Sequence, residues 1–315
     1  MSTLPVNMPR DAIVFDRESQ IKTGVLALLF VLVFYPILLD LQYHWLHELD
    51  WSHGPIIPLF SIYLLYLNWD KIRRTPVRHT WVGLVLLLGA LGAYQFTLFS
   101  LQFLFLRPVA MLVAVLGIAI YLCGLPVMRY GWLPWLYLFF AIPLPKRAYL
   151  AITEPLRQIA ATVATSVLSL IPDLEIQRLG STIQYMYQRN VGQVEVADAC
   201  SGMRSTITLL AIGVAVTFMT PRPTWQRVIM LLSCVPIAMF CNVIRVIITS
   251  YLYIFVDPSY AEGTPHMVLG LVMMMIAFGM FQFLAWMLQH FVVETEVDET
   301  DDDGRPAAEG GVVAS

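Results

Sequence analysis

The sequence predicts an all-α polytopic membrane protein of about eight transmembrane helices, carrying a small extracytoplasmic amphipathic helix and a β-hairpin. Composition and clustering predict it. Of 315 residues, 58% are hydrophobic and 13% charged, where soluble domains usually carry about 25% charged residues. Mean hydropathy is +0.70. The apolar residues fall into runs near the length of about 20 residues that a bilayer crossing needs.

Taken in order, residues 1–21 read as a cytoplasmic segment and 22–290 as the integral membrane unit. The expected spans are 22–39, 54–69, 81–99, 108–124, 129–142, 203–220, 228–254 and 266–290. The first apolar run has no small-residue cleavage site after a short core, so it reads as a retained helix. Charge gives the orientation. With both termini inside, the inner segments hold eleven of nineteen basic residues and the outer segments six (Arg107, Lys146, Arg147, Arg157, Arg178 and Arg189). That bias favours N-in and C-in.

The outer segment 143–202 is the one sizeable piece outside the spans. Ile152, Leu156, Ile159, Val163, Val167 and Leu170 recur at helical spacing, predicting an amphipathic helix on the membrane surface. From Thr182 the sequence alternates in short runs around Gln188-Arg189-Asn190, predicting a hairpin. Residues 291–315 are rich in Asp and Glu, then Gly, Ala and Pro, and read as a disordered cytoplasmic tail. No basic stripe exists for nucleic acid. His44 and His47 lack a carboxylate pattern to complete a metal site, so no metal or cofactor is expected.

Four positions stand out chemically. Cys200 follows the hairpin and precedes an apolar run, in the setting Asp198-Ala199-Cys200-Ser201-Gly202. A thiol in the first turn or cap of a helix has its thiolate favoured. Arg204, four residues on, adds charge on the same face, and Gly202 permits close backbone approach. The alternative is an inert buried thiol, the reading given to Cys123, Cys234 and Cys241 in their apolar runs.

Arg245 lies inside an apolar run, a placement that costs about 2.5–3.5 kcal/mol on insertion scales. Eighteen residues beyond Arg227, it is about 27 Å further along the helix, near the outer surface, where snorkelling is the alternative. Asn242 shares its face. His266 opens the last span at the same depth, where a structural histidine is the alternative. Cysteine, histidine and arginine together supply nucleophile, proton carrier and oxyanion stabiliser for acyl transfer. A further polar stretch, Asp50-Trp51-Ser52-His53-Gly54-Pro55, either caps the second span or lines the way in for substrate.

Ala199 to Ser205 resembles the nucleophile motif of the exosortase/archaeosortase family. Asn242 to Arg245 matches its Asn-x-x-Arg element, His266 falls where its histidine lies, and Asp50 to Gly54 resembles its aromatic-Ser-His-Gly stretch. The resemblance runs from about 30 to 290. It implies a membrane cysteine transpeptidase of the bacterial inner membrane, acting at the extracytoplasmic face without a cofactor. Its partners would be exported proteins with a C-terminal signal of short motif, transmembrane helix and basic cluster, such as the Pro-Glu-Pro type. It would form a Cys200 thioester, with His266 moving protons and Arg245 stabilising the oxyanion, then pass the product to a surface glycan or lipid. Such systems often accompany exopolysaccharide production. Hydrolysis by a plain intramembrane cysteine protease stays open, as does a non-catalytic transporter or export-assembly subunit, although no internal repeat favours the latter.

Overall fold

The computed structural model describes residues 17–76, 80–99, 104–188, 190–196, 203–261 and 263–290. Every expected span falls on a helix. Helix α1 covers Arg17–His47, α2 Ile56–Leu67, α3 Trp69–Arg74, α4 Trp81–Phe99, α5 Leu106–Cys123 and α6 Leu125–Tyr137. After them come α7 (Lys146–Leu168), α8 (Met203–Met219), α9 (Thr224–Phe255) and α10 (Gly263–His290). Among the described residues, five helices are long and apolar enough to cross a membrane: α1 from Thr23, α4, α5, α9 and α10. Helices α2, α6 and α8 are shorter, at 12, 13 and 17 residues.

The shorter helices are held by side chains that reach neighbouring main chain. Ser61 donates to the Pro134 carbonyl at 2.7 Å, and the Trp135 indole donates to Leu112 at 2.8 Å. An apolar medium gives such carbonyls no other partner, which strengthens the case for pairing them. Helices α4 and α5 cross at glycines. A Cβ on Gly83 would stand 2.3 Å from the Tyr121 nitrogen, and one on Gly117 would stand 2.7 Å from the Leu87 nitrogen. Small residues at a crossing let two backbones come together where lipid supplies no hydrophobic drive. Phe34, Ile37 and Leu41 of α1 pack against this pair with Ala90, Tyr94 and Met111.

The second half is built on α9. Its 32 residues give a length of about 48 Å, well beyond a hydrocarbon core of about 30 Å. Over one part of that length it packs with α8 and α10 through Leu209, Met230, Cys234, Ala238, Ala277 and Phe281. Beyond Asn242 it packs instead against α7 and a small sheet, where Val246 meets Ala160, Ala161, Ala164, Ile183, Val194 and Val196.

That sheet has three strands in the order β1 (Leu174–Leu179), β2 (Thr182–Tyr187), β3 (Asn190–Glu195), all antiparallel. The expected hairpin is β2–β3, and β1 extends it. Leu179 pairs with Thr182, so only Gly180 and Ser181 close that turn. Gly180 supplies the positive φ of 64° that a two-residue hairpin needs.

Helix α7 begins earlier than expected, and the apolar stripe read from its sequence lies on its exposed side. Thr153, Ala160, Ala161, Ala164 and Leu168 face the protein, while Ile152, Ile159, Val163 and Val167 are exposed. Small residues let α7 lie close on α9, and the bulky apolar stripe is turned outward.

Candidate active site

Two polar clusters lie at the end of the molecule that carries the sheet. The first joins three elements distant in sequence. Asp50 sits in a 3-10 turn (Leu49–Trp51) between α1 and α2. Arg204, in the first turn of α8, places both Nε and Nη2 2.9 Å from one Asp50 oxygen. The Tyr149 hydroxyl, from α7, donates to the other oxygen at 2.6 Å. The carboxylate therefore accepts on both oxygens and ties the start of α8 to α7 and to the turn. Apolar contacts reinforce it, with Trp51, Met203 and Ile207 buried against Trp45, Phe140, Leu144 and Tyr149.

His53 stands two residues after Trp51, its ring centroid 6.0 Å from the Trp51 ring. Burial pushes its pKa below the ordinary histidine value, opposed by main-chain oxygens of Phe140 and Asp50 and by the Asp50 charge. Gly54 follows, where a Cβ would stand 2.2 Å from the Trp45 indole. That indole donates to the Ala141 carbonyl at 2.8 Å, so the Ser52-His53-Gly54 turn is fixed against the 3-10 turn Leu138–Ala141 that follows α6.

The second cluster joins α9 to α10. Arg245 is 7% exposed, and Asn242 and Thr249 are buried on the same face of α9. Its Nη2 lies 2.6 Å from Nε2 of His266, in the first turn of α10. A guanidinium only donates, so Nε2 is the acceptor and the neutral ring carries its proton on Nδ1. One turn beyond His266, Gly270 makes the space. A Cβ there would stand 3.2 Å from both the guanidinium carbon and Nη2 of Arg245. Helix α8, which carries Arg204, packs against both α9 and α10, so the two clusters share one region.

Of the residues singled out by sequence, Arg204, Asn242, Arg245, His266 and His53 are thus placed. Asp198, Cys200, Ser201 and Gly202 lie outside the described residues, immediately before Met203, where α8 begins. The other three cysteines are placed: Cys234 and Cys241 are buried in the apolar packing of α8, α9 and α10, and Cys123 is half-buried. Three contributors were not singled out. Gly270 had a signal in its i+4 spacing from His266, and Thr249 in its i+4 spacing from Arg245. Tyr149 had none, because its partner is 99 positions away.

Arranged this way, the site offers a carboxylate-anchored helix start and a buried guanidinium held against an imidazole. The family model described as Transmembrane exosortase (Exosortase_EpsH) matches residues 45–283, about three quarters of the chain and all of both clusters. No curated protein and no solved structure matches the chain.

Proposed function

This chain belongs to the transmembrane exosortase family, and from that premise we propose that it is a multi-pass membrane cysteine transpeptidase. Its site faces the extracytoplasmic side of a bacterial inner membrane, with both termini in the cytoplasm. The substrates are membrane-anchored proteins bearing a C-terminal sorting signal, and the acceptor is a surface glycan or lipid. The observation that carries the reading is the Arg245–His266 pair at 2.6 Å, on helices packed against α8, whose start follows Cys200 directly in the chain.

In this reading His266 takes the Cys200 thiol proton and the thiolate attacks the scissile carbonyl carbon. The nitrogen with the lone pair is Nε2, which Arg245 holds in the resting arrangement. Taking the proton there requires Arg245 to release the ring. The guanidinium does so by turning to the carbonyl oxygen as that oxygen gains charge, so one movement frees the base and stabilises the oxyanion. The peptide C–N bond then breaks, the imidazolium gives its proton to the departing amine, and the acyl group stays on sulfur as a thioester. An acceptor hydroxyl or amine attacks that thioester, losing its proton through His266, and the thiol is restored.

The test is processing of a tagged substrate in cells by the wild type and by Cys200→Ala, Arg245→Ala and His266→Ala at matched membrane abundance. Loss in all three, with uncleaved precursor kept in the membrane, is the expected outcome. Normal processing by Cys200→Ala would remove the thiol from the mechanism. Mass spectrometry of the mature C-terminus separates the two fates of the acyl group: a covalent acceptor marks transfer, a free carboxylate hydrolysis.

A further inference from the structure

Helix α7 covers one face of the sheet through Ala160, Ala161 and Ala164, and among the described elements only β2 runs extensively alongside β3. The register fixes which groups of β3 face outward. Val196 donates its N–H to the Ser181 carbonyl, so Ser181 and Val196 are a hydrogen-bonded pair. In an antiparallel ladder such pairs alternate, and the pairs Ile183–Val194, Tyr185–Gly192 and Tyr187–Asn190 complete the series. The N–H and C=O groups of Val191, Gln193 and Glu195 therefore point away from β2. Among the described residues nothing accepts from or donates to them.

An unpaired edge is a template for another strand. Short edges are tolerated when they serve nothing, but this one has a second property. Its other face is fixed, because Val194 and Val196 are buried against α7 and against Val246 of α9, the neighbour of Arg245. Cys200 is five residues beyond Glu195 in sequence, a separation that cannot exceed about 17 Å of chain. A row of outward donors and acceptors thus ends five residues before the proposed nucleophile in sequence.

We propose that the free edge of β3 is the docking strand for the substrate, which binds as an extended peptide and adds a fourth strand to the sheet. The inference rests on the peptide-processing reading and deepens it. Strand addition draws its affinity from main-chain hydrogen bonds, so the edge accepts peptides of varied sequence and holds the backbone straight beside the reacting centre. Side chains of Val191, Gln193 and Glu195, all exposed, take no essential part.

That distinction sets the test. Proline at position 193 removes one outward N–H and leaves the ladder to β2 intact, the placement in which edge strands accept proline. Gln193→Pro is expected to lower processing of the tagged substrate about tenfold or more, since a bound carbonyl loses its donor. Gln193→Ala is expected to stay within about twofold, because only its side chain changes. Wild-type processing by Gln193→Pro, or an equal loss in Gln193→Ala, would overturn the proposal. If Gln193→Pro does not accumulate, a benzoylphenylalanine at Val191 decides: crosslinking to the uncleaved precursor supports docking on β3, and none refutes it. A parallel Cys200→Ala arm keeps the two ideas apart. Should it process normally while Gln193→Pro does not, the peptide still docks on β3 and the nucleophile lies elsewhere.

Discussion

Helices α8, α9 and α10 pack together along much of their length, yet their two ends are built on opposite principles. At one end the contacts are Leu209, Met230, Cys234, Ala238, Ala277 and Phe281, with Gly213 so close to Cys234 that a Cβ would stand 2.6 Å from its sulfur. At the sheet end the same helices bury Asn242, Arg245 and Thr249 and bring His266 to Arg245. Seven residues of α9 separate Cys234 from Cys241, and four more reach Arg245. The apolar end gains stability from packing and needs no particular orientation of charge. The polar end carries a buried guanidinium, tolerated only because its surroundings position it. Changes at the first end should register as lost stability, and changes at the second as lost activity in a folded protein.

Arg245→Lys is the sharpest way to break that comparison. Charge is kept, but the fork that holds the His266 ring, and that the proposed mechanism turns to the oxyanion, is lost, and processing should fall about a hundredfold with normal membrane abundance. A fall in abundance instead would make Arg245 a structural residue. Gly270→Ala comes next. The added carbon pushes a guanidinium that has only 3.2 Å of space, so turnover should fall about tenfold, as small misplacements at a reacting centre do. Unchanged turnover would mean that the resting position of Arg245 is immaterial.

Tyr149→Phe removes one of the donors to Asp50 while leaving Arg204 in place. It should cost about 1 kcal/mol of thermal stability in detergent and lower processing only about threefold. A loss as large as that of Arg245→Lys would give the hydroxyl a part in the chemistry. Gly117→Ala tests purely apolar packing away from α8, α9 and α10, at the α4–α5 crossing. It forces α4 from α5 and should cost about 1–3 kcal/mol, while activity per folded molecule stays within about twofold.

Much of the fold was legible in the sequence because a membrane writes its demand as hydropathy. Trp81–Phe99 and Leu106–Cys123 match the expected runs closely. Helix α1 runs on to His47 past Asp40, where the apolar run stops, since helical backbone bonds do not depend on apolar side chains. The apolar stripe of α7 from Ile152 to Val167 was legible, and it is exposed. That Ala160, Ala161 and Ala164 pack against the protein was not, because small residues leave no strong periodic signal. Strand β1 was readable in Leu174-Glu175-Ile176 with Gly180 after it, but a short alternating run decides nothing without a partner. Arg245 and His266 were each visible as costly or polar residues at one depth. Their contact, and the Asp50–Arg204–Tyr149 junction, depend on helix packing that no local pattern encodes.

The cysteines give the most direct test of the central claim. A chain in which Cys123, Cys234 and Cys241 are replaced by Ala keeps Cys200 as its only thiol, and the complementary chain loses Cys200 alone. With both at wild-type abundance, the first should process the tagged substrate within about threefold of wild type, its losses confined to packing, and the second should leave only precursor. Processing by the chain without Cys200, or its loss in the chain that keeps it at full abundance, would contradict a thiol site at the sheet end.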